Sequence, residues 1–473
     1  MSVMLEDTIA AVSTPSGVGG IAVLRVSGPA ALEVVDKVFR GKVVLRDAES
    51  HRAYFGRIVA DDEASGRPEQ ERFVDDVVVT VFRKPNSYTG QDVVEISCHG
   101  GPYLTRKILN LLLRAGARLA EPGEFTQRAF LNGRMDLSQA EAVADLIRAR
   151  SELNLRAAQS QYTGVFSRRI QELRSQLIEY SSLLELELDF AEEDVEFANR
   201  EELRERLGEI VQAVDRLLGT YERGKVLREG AKLVIVGRPN VGKSSLLNAL
   251  LREDRAIVTE EPGTTRDVLE EQLDIRGLLF RVVDTAGVRE AVSRIEKEGV
   301  LRTLRQVQEA DILLLLLDGS RPFGKADDAL VQKVLADRNG DGRLLVAINK
   351  IDLPRKLTRT TVTERVGPYP VVEISAKHEQ GLEELEAALV EVALNGTPFS
   401  GDEALVVNLR QKRGLEEARD SLSRALQTLD AGLSSEFVAV DLRAAMDALG
   451  SLIGEVTTED ILGNIFANFC IGK

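Results

Sequence analysis

Along the first part of the chain, apolar and polar residues alternate with the period of a strand. Gly19–Ser27, Phe73–Phe82 and Asp92–Ser97 carry that alternation, while Ala30–Phe39 and Leu104–Ala115 read as helices. From about Ser138 the period lengthens. Leu203, Leu207, Ile210, Val211, Val214, Leu217 and Leu218 follow the three-four spacing of one buried helical face. A third pattern follows: Leu233–Val236, Leu278–Val283, Ile312–Leu317 and Leu344–Ile348 are short unbroken apolar runs, as expected of strands covered on both faces. Helical spacing then resumes through Leu415, Ala418, Leu422, Ala425 and Leu429, and again through Ile461, Leu462, Ile465, Phe466 and Phe469.

With 473 residues the chain exceeds a single core and suffices for about three domains. The pattern divides it into an α/β unit over 1–118, helices over 119–224, a sheet domain over 225–395 and helices again over 396–473. Each helical flank alone leaves an apolar stripe unpaired. The two are therefore expected to pack as one bundle, with the sheet domain inserted between them on Glu222–Glu229 and Asn395–Glu403. Three beads in a row is the plainer alternative.

The buried strands run into polar segments that form a series. After Leu233–Val236 comes Gly237-Arg238-Pro239-Asn240-Val241-Gly242-Lys243-Ser244-Ser245, ahead of a helical pattern. Its glycines let backbone N–H groups turn inward around phosphate oxygens, Lys243 reaches the β- and γ-phosphates, and Ser244 offers a hydroxyl to Mg²⁺. Thr259-Glu260-Glu261-Pro262-Gly263-Thr264-Thr265 supplies a loop with a threonine able to complete the Mg²⁺ shell when GTP is bound. Asp284-Thr285-Ala286-Gly287 offers a carboxylate that meets Mg²⁺ through water and a glycine N–H that senses the γ-phosphate. In Asn349-Lys350-Ile351-Asp352, the Asp352 carboxylate accepts from guanine N1–H and the 2-amino group, donors that adenine lacks. Ser375-Ala376-Lys377 fits the loop that backs the guanine ring. This order describes a Ras-like P-loop G domain that binds GTP and Mg²⁺. The whole is a multidomain chain of α/β and all-α parts.

Val288 follows Gly287 where Ras-like enzymes place a glutamine to orient the attacking water. Either hydrolysis is very slow or another side chain serves, and Glu296 and Arg289 are the candidates. Each also reads as a solvated switch residue. Asn240 carries an amide oxygen able to hold a monovalent cation beside the β–γ bridge, with carbonyls of the Thr259–Thr264 loop completing the shell. Such a cation neutralises charge that an arginine finger neutralises elsewhere.

Composition narrows the class further. Hydrophobic residues make up 44% and charged residues 29%, an ordinary soluble balance. The two cysteines, Cys98 and Cys470, form no CxxC pair and the histidines number 3, so neither a disulfide framework nor a structural metal is expected. Met1–Thr8 has no basic start and Ile312–Leu317 is too short to span a bilayer, which points to a cytoplasmic protein without membrane contact. A net charge of −15 argues against general coating of nucleic acid.

From end to end the chain resembles the tRNA-modification GTPase family MnmE (TrmE). The likeness rests on Leu24-Arg25-Val26-Ser27-Gly28, Asn86-Ser87-Tyr88-Thr89-Gly90, His99-Gly100-Gly101-Pro102, Pro122-Gly123-Glu124-Phe125, Arg128-Ala129-Phe130-Leu131-Asn132 and Cys470-Ile471-Gly472-Lys473, besides the G-domain segments. It implies that Asn240, Thr259, Glu261 and Thr264 surround K⁺ and that Ser244 and Thr265 hold Mg²⁺. It implies that Glu296 is the catalytic carboxylate, acting when two G domains meet. The N-terminal domain would form a homodimer and bind 5-formyltetrahydrofolate or a related tetrahydrofolate through Arg25, Glu95, Arg134 and Lys473. Arg134 stands where the family often has lysine, which keeps the charge and changes the hydrogen-bond geometry. The implied function, with an FAD-containing partner of the MnmG (GidA) family, is addition of a carboxymethylaminomethyl or aminomethyl group at C5 of the wobble uridine of certain tRNAs. Cys470 reads as a candidate thiol or as a small buried hydrophobe. Arg148, Arg150, Arg156, Arg168, Arg169 and Arg174 read as a solvated helix face or as a contact for tRNA phosphate. A ribosome-assembly or translation switch is the alternative function. So is a folate-dependent transferase whose GTPase only regulates it.

Overall fold

A computed structural model describes residues 6–60, 72–189, 200–251, 270–283, 308–336, 343–457 and 459–467, with 469 and 472. The chain divides into two compact units, Met1–Ala144 with Leu449–Lys473, and Asp145–Ala448.

The first unit is built on strands β1 (Ile9–Val12), β2 (Gly19–Ser27), β3 (Phe39–Gly41), β4 (Arg52–Val59), β5 (Phe73–Phe82), β6 (Val93–Gly100) and β7 (Arg118–Leu119). They form one sheet in the order β3-β4-β5-β6-β2-β1-β7. Alternation in sequence becomes alternation in space: Ala22, Leu24 and Val26 of β2 are buried with Val94, Ile96 and Cys98 of β6. Helices α1 (Ala31–Val38) and α2 (Pro102–Arg114) cover that face with Leu32, Val35, Ile108 and Leu112. The opposite face is covered near β1, where Phe125 of α3 (Glu124–Leu131) packs on Ile9 and Ala11. Further along, Phe55, Val78 and Ile21 remain 69%, 40% and 71% exposed. Helix α4 (Leu137–Arg148) follows α3.

A buried ionic cluster fixes α3. Arg128 is fully buried and donates to Glu124, Gln91 and the Asp7 carbonyl, while Arg118 donates to both Glu124 oxygens at 2.6 and 3.1 Å. Burial alone would raise the Glu124 pKa, but Arg118, the Glu121 N–H and Arg128 together hold it below the ordinary carboxylate range.

In the second unit, helices α5 (Glu152–Tyr162), α6 (Val165–Asp189), α7 (Arg200–Leu218) and α8 (Tyr221–Glu229) lead into the second sheet. Its strands β8 (Ala231–Gly237), β9 (Glu270–Ile275), β10 (Leu278–Val283), β11 (Ile312–Asp318), β12 (Arg343–Asn349) and β13 (Val371–Glu373) run in the order β13-β12-β11-β8-β10-β9. All neighbours are parallel except β9 and β10. One face is covered by α9 (Lys243–Leu250) and α12 (Leu382–Ala393), the other by α10 (Lys325–Ala336) and α11 (Arg359–Val366). Coverage on both sides is why β11 is an unbroken apolar run.

Beyond the sheet, α13 (Leu409–Asp430) packs along α7, with Arg204 Nε 2.6 Å from Asp430 Oδ1. Leu203, Leu207, Ile210, Val214 and Leu217 are buried there, as their spacing requires, and so are Leu415, Ala418, Leu422 and Ala425. The segment Glu222–Glu229 is itself helical. Helix α14 (Ser435–Ile453) follows, and α15 (Glu459–Phe466) packs Leu462 and Phe466 on Leu137 and Val143 of α4 in the first unit.

Candidate functional site

The nucleotide site forms where parallel strands end. Beyond the C-terminal ends of β8 and β12 lies a cavity of about 580 Å³, lined by Asn240, Gly242, Lys243, Ser244, Ser245, Asn349, Lys350, Asp352 and Lys377 with Pro239 and Leu353. Residues distant in sequence converge because their strands are two places apart in one sheet. Lys243 and Ser244 open α9, so their N–H groups belong to a helix N-terminus, a favourable place for anionic oxygens. Lys243 Nζ donates to the Gly237 and Arg238 carbonyls at 2.7 and 3.0 Å.

The Asn349–Asp352 loop, expected to read the base, is fastened to the Gly237–Ser244 loop, expected to hold phosphate, at consecutive residues. Asn349 Nδ2 donates to the Val241 carbonyl at 2.8 Å, and Lys350 Nζ to the Asn240 carbonyl at 2.8 Å. Asn349 Oδ1 accepts from the Ala376 N–H at 2.9 Å, which brings the third loop into the same frame. Gly242 is required here: its φ is +107°, and a Cβ would sit 2.2 Å from Asn349 Nδ2. Asn240 and Lys350 hold left-handed backbone at φ 63° and 66°, an uncommon state for residues with a side chain and one that collects at functional sites. Ser375 Oγ donates to Asp352 Oδ1 at 2.6 Å. That hydroxyl, then the backbone and the nearby His378 and Lys377, hold the Asp352 carboxyl below the ordinary carboxylate range. It is thus an ionised double acceptor at neutral pH, the form expected of a guanine-reading residue.

Two curated models match the sequence over most of its length: the MnmE helical domain over residues 137–470 and the GTP-binding protein TrmE N-terminus over 8–134. The chain belongs to the MnmE family of tRNA modification GTPases. The family member of Thermoanaerobacter pseudethanolicus is 43% identical over 472 residues, spanning 99% of this chain and 100% of the relative. That of Carboxydothermus hydrogenoformans is 46% identical over 473 residues, with 99% and 100% covered. Among solved structures, the G domain of the T. maritima FeoB iron transporter matches 34% of this chain and 98% of its own, at 29% identity and a TM-score of 0.27.

Of the residues read as MnmE-type site residues, Gly237, Asn240, Val241, Gly242, Lys243, Ser244, Ser245, Asn349, Lys350, Asp352, Ser375, Ala376 and Lys377 lie in or directly behind this cavity. Thr259, Glu260, Glu261, Pro262, Gly263, Thr264, Thr265, Asp284, Thr285, Ala286, Gly287, Arg289, Glu296, Cys470 and Lys473 lie outside the described residues. Asp318 escaped the sequence reading. It ends β11 and holds Lys350 Nζ at 2.7 Å, and the only hint was a carboxylate closing the most apolar strand.

In the first unit, Arg25 and Glu95 are paired in register across β2 and β6, with Arg25 Nε and Nη2 on Glu95 Oε1 at 2.9 and 2.7 Å. The guanidinium lies 5.1 Å from the Tyr88 ring centroid and 5.6 Å from that of Phe125. Its Nη1 is buried and has no hydrogen-bond partner among the described residues. Arg134 is exposed, and its side chain lies over Gly90 of the same loop that carries Tyr88. Gly472 sits against β1, its carbonyl accepting from Ser13 Oγ at 3.1 Å. Cys98 is buried, and burial first, then the Asp75 charge, push its thiol up to about 11, which removes it as a nucleophile. Several of the arginines in the helical run are engaged locally: Arg150 on Gln272, Arg156 on Glu152, Arg168 on the Thr163 carbonyl and Arg169 on Glu172.

Proposed function

We propose that this protein is a K⁺-dependent GTPase. With an FAD-containing partner of the MnmG family and a folate one-carbon unit, it adds a carboxymethylaminomethyl or aminomethyl group at C5 of the wobble uridine of certain tRNAs. The observation that carries the reading is the convergence of Lys243, Asn349, Lys350 and Asp352 on one cavity at the ends of β8 and β12. The relatives named above are tRNA modification GTPases, and likeness over their full length extends that activity to this chain.

Within it, Ser244 and Thr265 hold Mg²⁺, and Glu296 orients the attacking water, with Arg289 as the second candidate. Asn240, Thr259, Glu261 and Thr264 hold K⁺. Asn240 suits that ion: it is exposed at the cavity rim and offers a neutral, hard oxygen, as alkali and alkaline-earth cations prefer. Potassium there supplies positive charge where negative charge gathers during hydrolysis.

The tetrahydrofolate reading draws on Arg25, whose Nη1 has no partner among the described residues and calls for an acceptor, and it assigns Glu95, Arg134 and Lys473 to the same ligand. Its ring stack on Tyr88 and Phe125 leaves the guanidinium edge for hydrogen bonding. Dimerisation is supported by the outer sheet face, where Phe55, Val78, Ser97 and Val23 run in register across four strands with Phe55 and Val78 exposed. The proposed domains are 1–118, 119–224, 225–395 and 396–473, and the proposed site of action is the cytoplasm.

The test is reconstitution with the FAD-bearing partner, tRNA, GTP and tetrahydrofolate, reading the wobble uridine by mass spectrometry. Modified uridine is expected with the wild type. Glu296→Ala is expected to bind GTP and folate yet give none. Full modification by that variant would mean that hydrolysis only regulates a separate transferase.

A further inference from the structure

The fastening of the base-reading loop to the phosphate loop depends on a residue that touches neither nucleotide pocket nor phosphate. Lys350 Nζ sits between two oxygens, the Asn240 carbonyl at 2.8 Å and Asp318 Oδ2 at 2.7 Å. Asp318 is not free to follow the lysine. Its other oxygen accepts from the Ser320 N–H at 3.0 Å and from Ser320 Oγ at 2.6 Å, so Oδ2 is aimed by its own loop. The backbone adds a second constraint, since Asp318 pairs in register with Asn349 across β11 and β12. Side-chain exposure is 16% for Asp318 and 29% for Lys350, so water competes only in part. Burial alone would raise the Asp318 pKa, yet Lys350 and Ser320 hold it below the ordinary carboxylate range.

A lysine ammonium is a flexible point charge on four methylenes, and one carbonyl does not immobilise it. With a fixed carboxylate behind it, the ammonium has one low-energy position. That position ties down Asn240, whose left-handed backbone at φ 63° otherwise favours relaxation of the loop. Asp318 itself is absent from the cavity lining. We infer that Asp318 is a positioning residue for nucleotide binding: it pins the Lys350 ammonium on the Asn240 carbonyl and so makes the base-reading and phosphate loops one rigid frame.

The experiment is a double-mutant cycle on the full chain, with affinity for a fluorescent GDP analogue as the readout. Asp318→Asn keeps an acceptor for Ser320 and removes the charge facing Lys350. It is expected to weaken GDP binding about tenfold, the usual scale for a hydrogen bond to a charged group. Lys350→Met removes the intermediary, and on that background Asp318→Asn is expected to cost less than about twofold. The nucleotide-free Tm of Asp318→Asn should stay within about 2 °C of the wild type. Equal losses on both backgrounds would overturn the inference, as would unchanged affinity in the single variant. A large fall in Tm accompanied by loss on both backgrounds would assign Asp318 to fold support instead. GDP affinity involves neither potassium nor tRNA, so the cycle remains decisive if either of those readings fails.

Discussion

In the nucleotide pocket, Lys243, Lys350 and Asp352 each hold a partner supplied by the protein. In the N-terminal unit, Arg25 spends Nε and Nη2 on Glu95, and its buried Nη1 has no partner among the described residues. Among the described residues, the first arrangement already pairs its polar groups, so binding there would exchange one set of hydrogen bonds for another. The second carries a desolvated donor whose cost is relieved only by an acceptor from outside the described residues. On the proposed reading, selectivity in the pocket resides in geometry that is already fixed, whereas the Arg25 cluster would gain an acceptor from its ligand. The Arg128–Glu124 pair on α3, 2.8 Å apart, shows that this unit does complete buried ion pairs elsewhere.

The sharpest way to break that contrast is Asp352→Asn. A fixed double acceptor turned into a mixed donor and acceptor should reverse the GTP-over-XTP preference by about 10⁴, measured by competition binding. An unchanged preference would mean that another residue reads the base. Next is Glu124→Gln, which leaves the buried Arg128 with only the more exposed Asp7 carboxylate as a charged partner and should cost about 2 kcal/mol of first-unit stability in denaturant unfolding. Because the folded Glu124 pKa is depressed, its contribution is present above the ordinary carboxylate value and is lost as pH falls through the folded value. The variant's stability should accordingly fall less steeply than the wild type's on acidification below about pH 4.5. Arg25→Gln should weaken binding of 5-formyltetrahydrofolate by about thirtyfold in calorimetry while GDP affinity stays the same. Equal folate affinity would dissolve the distinction between the two sites. Smallest is Ser375→Ala, which removes one hydroxyl from Asp352 and should lower GDP affinity about fivefold.

How much of this the sequence disclosed depended on whether one segment carried the information. Leu278–Val283 and Phe73–Phe82 were legible to the residue because period and burial agree along a strand. Lys243, Asn349 and Asp352 stood out because phosphate and guanine chemistry calls for such residue types at short spacing, and the three line one cavity. Asp318 was not, since its role exists only once β11 and β12 lie side by side and bring it to Lys350. Glu222–Glu229 read as a connection because few apolar residues mark it, yet Val226 and Leu227 of α8 are buried against the second sheet. The arginine run lost much of its apparent positive excess to partners such as Glu152 and Glu172, three or four residues away on the same helix.

The claim on which the account turns is that a monovalent cation at Asn240 supplies charge that an arginine supplies in other GTPases. It is tested most directly by the GTP hydrolysis rate of the full chain in potassium chloride and in sodium chloride at equal ionic strength. The account expects hydrolysis in potassium to exceed that in sodium by about a hundredfold, on the scale of one lost transition-state contact. Equal rates in the two salts would contradict it.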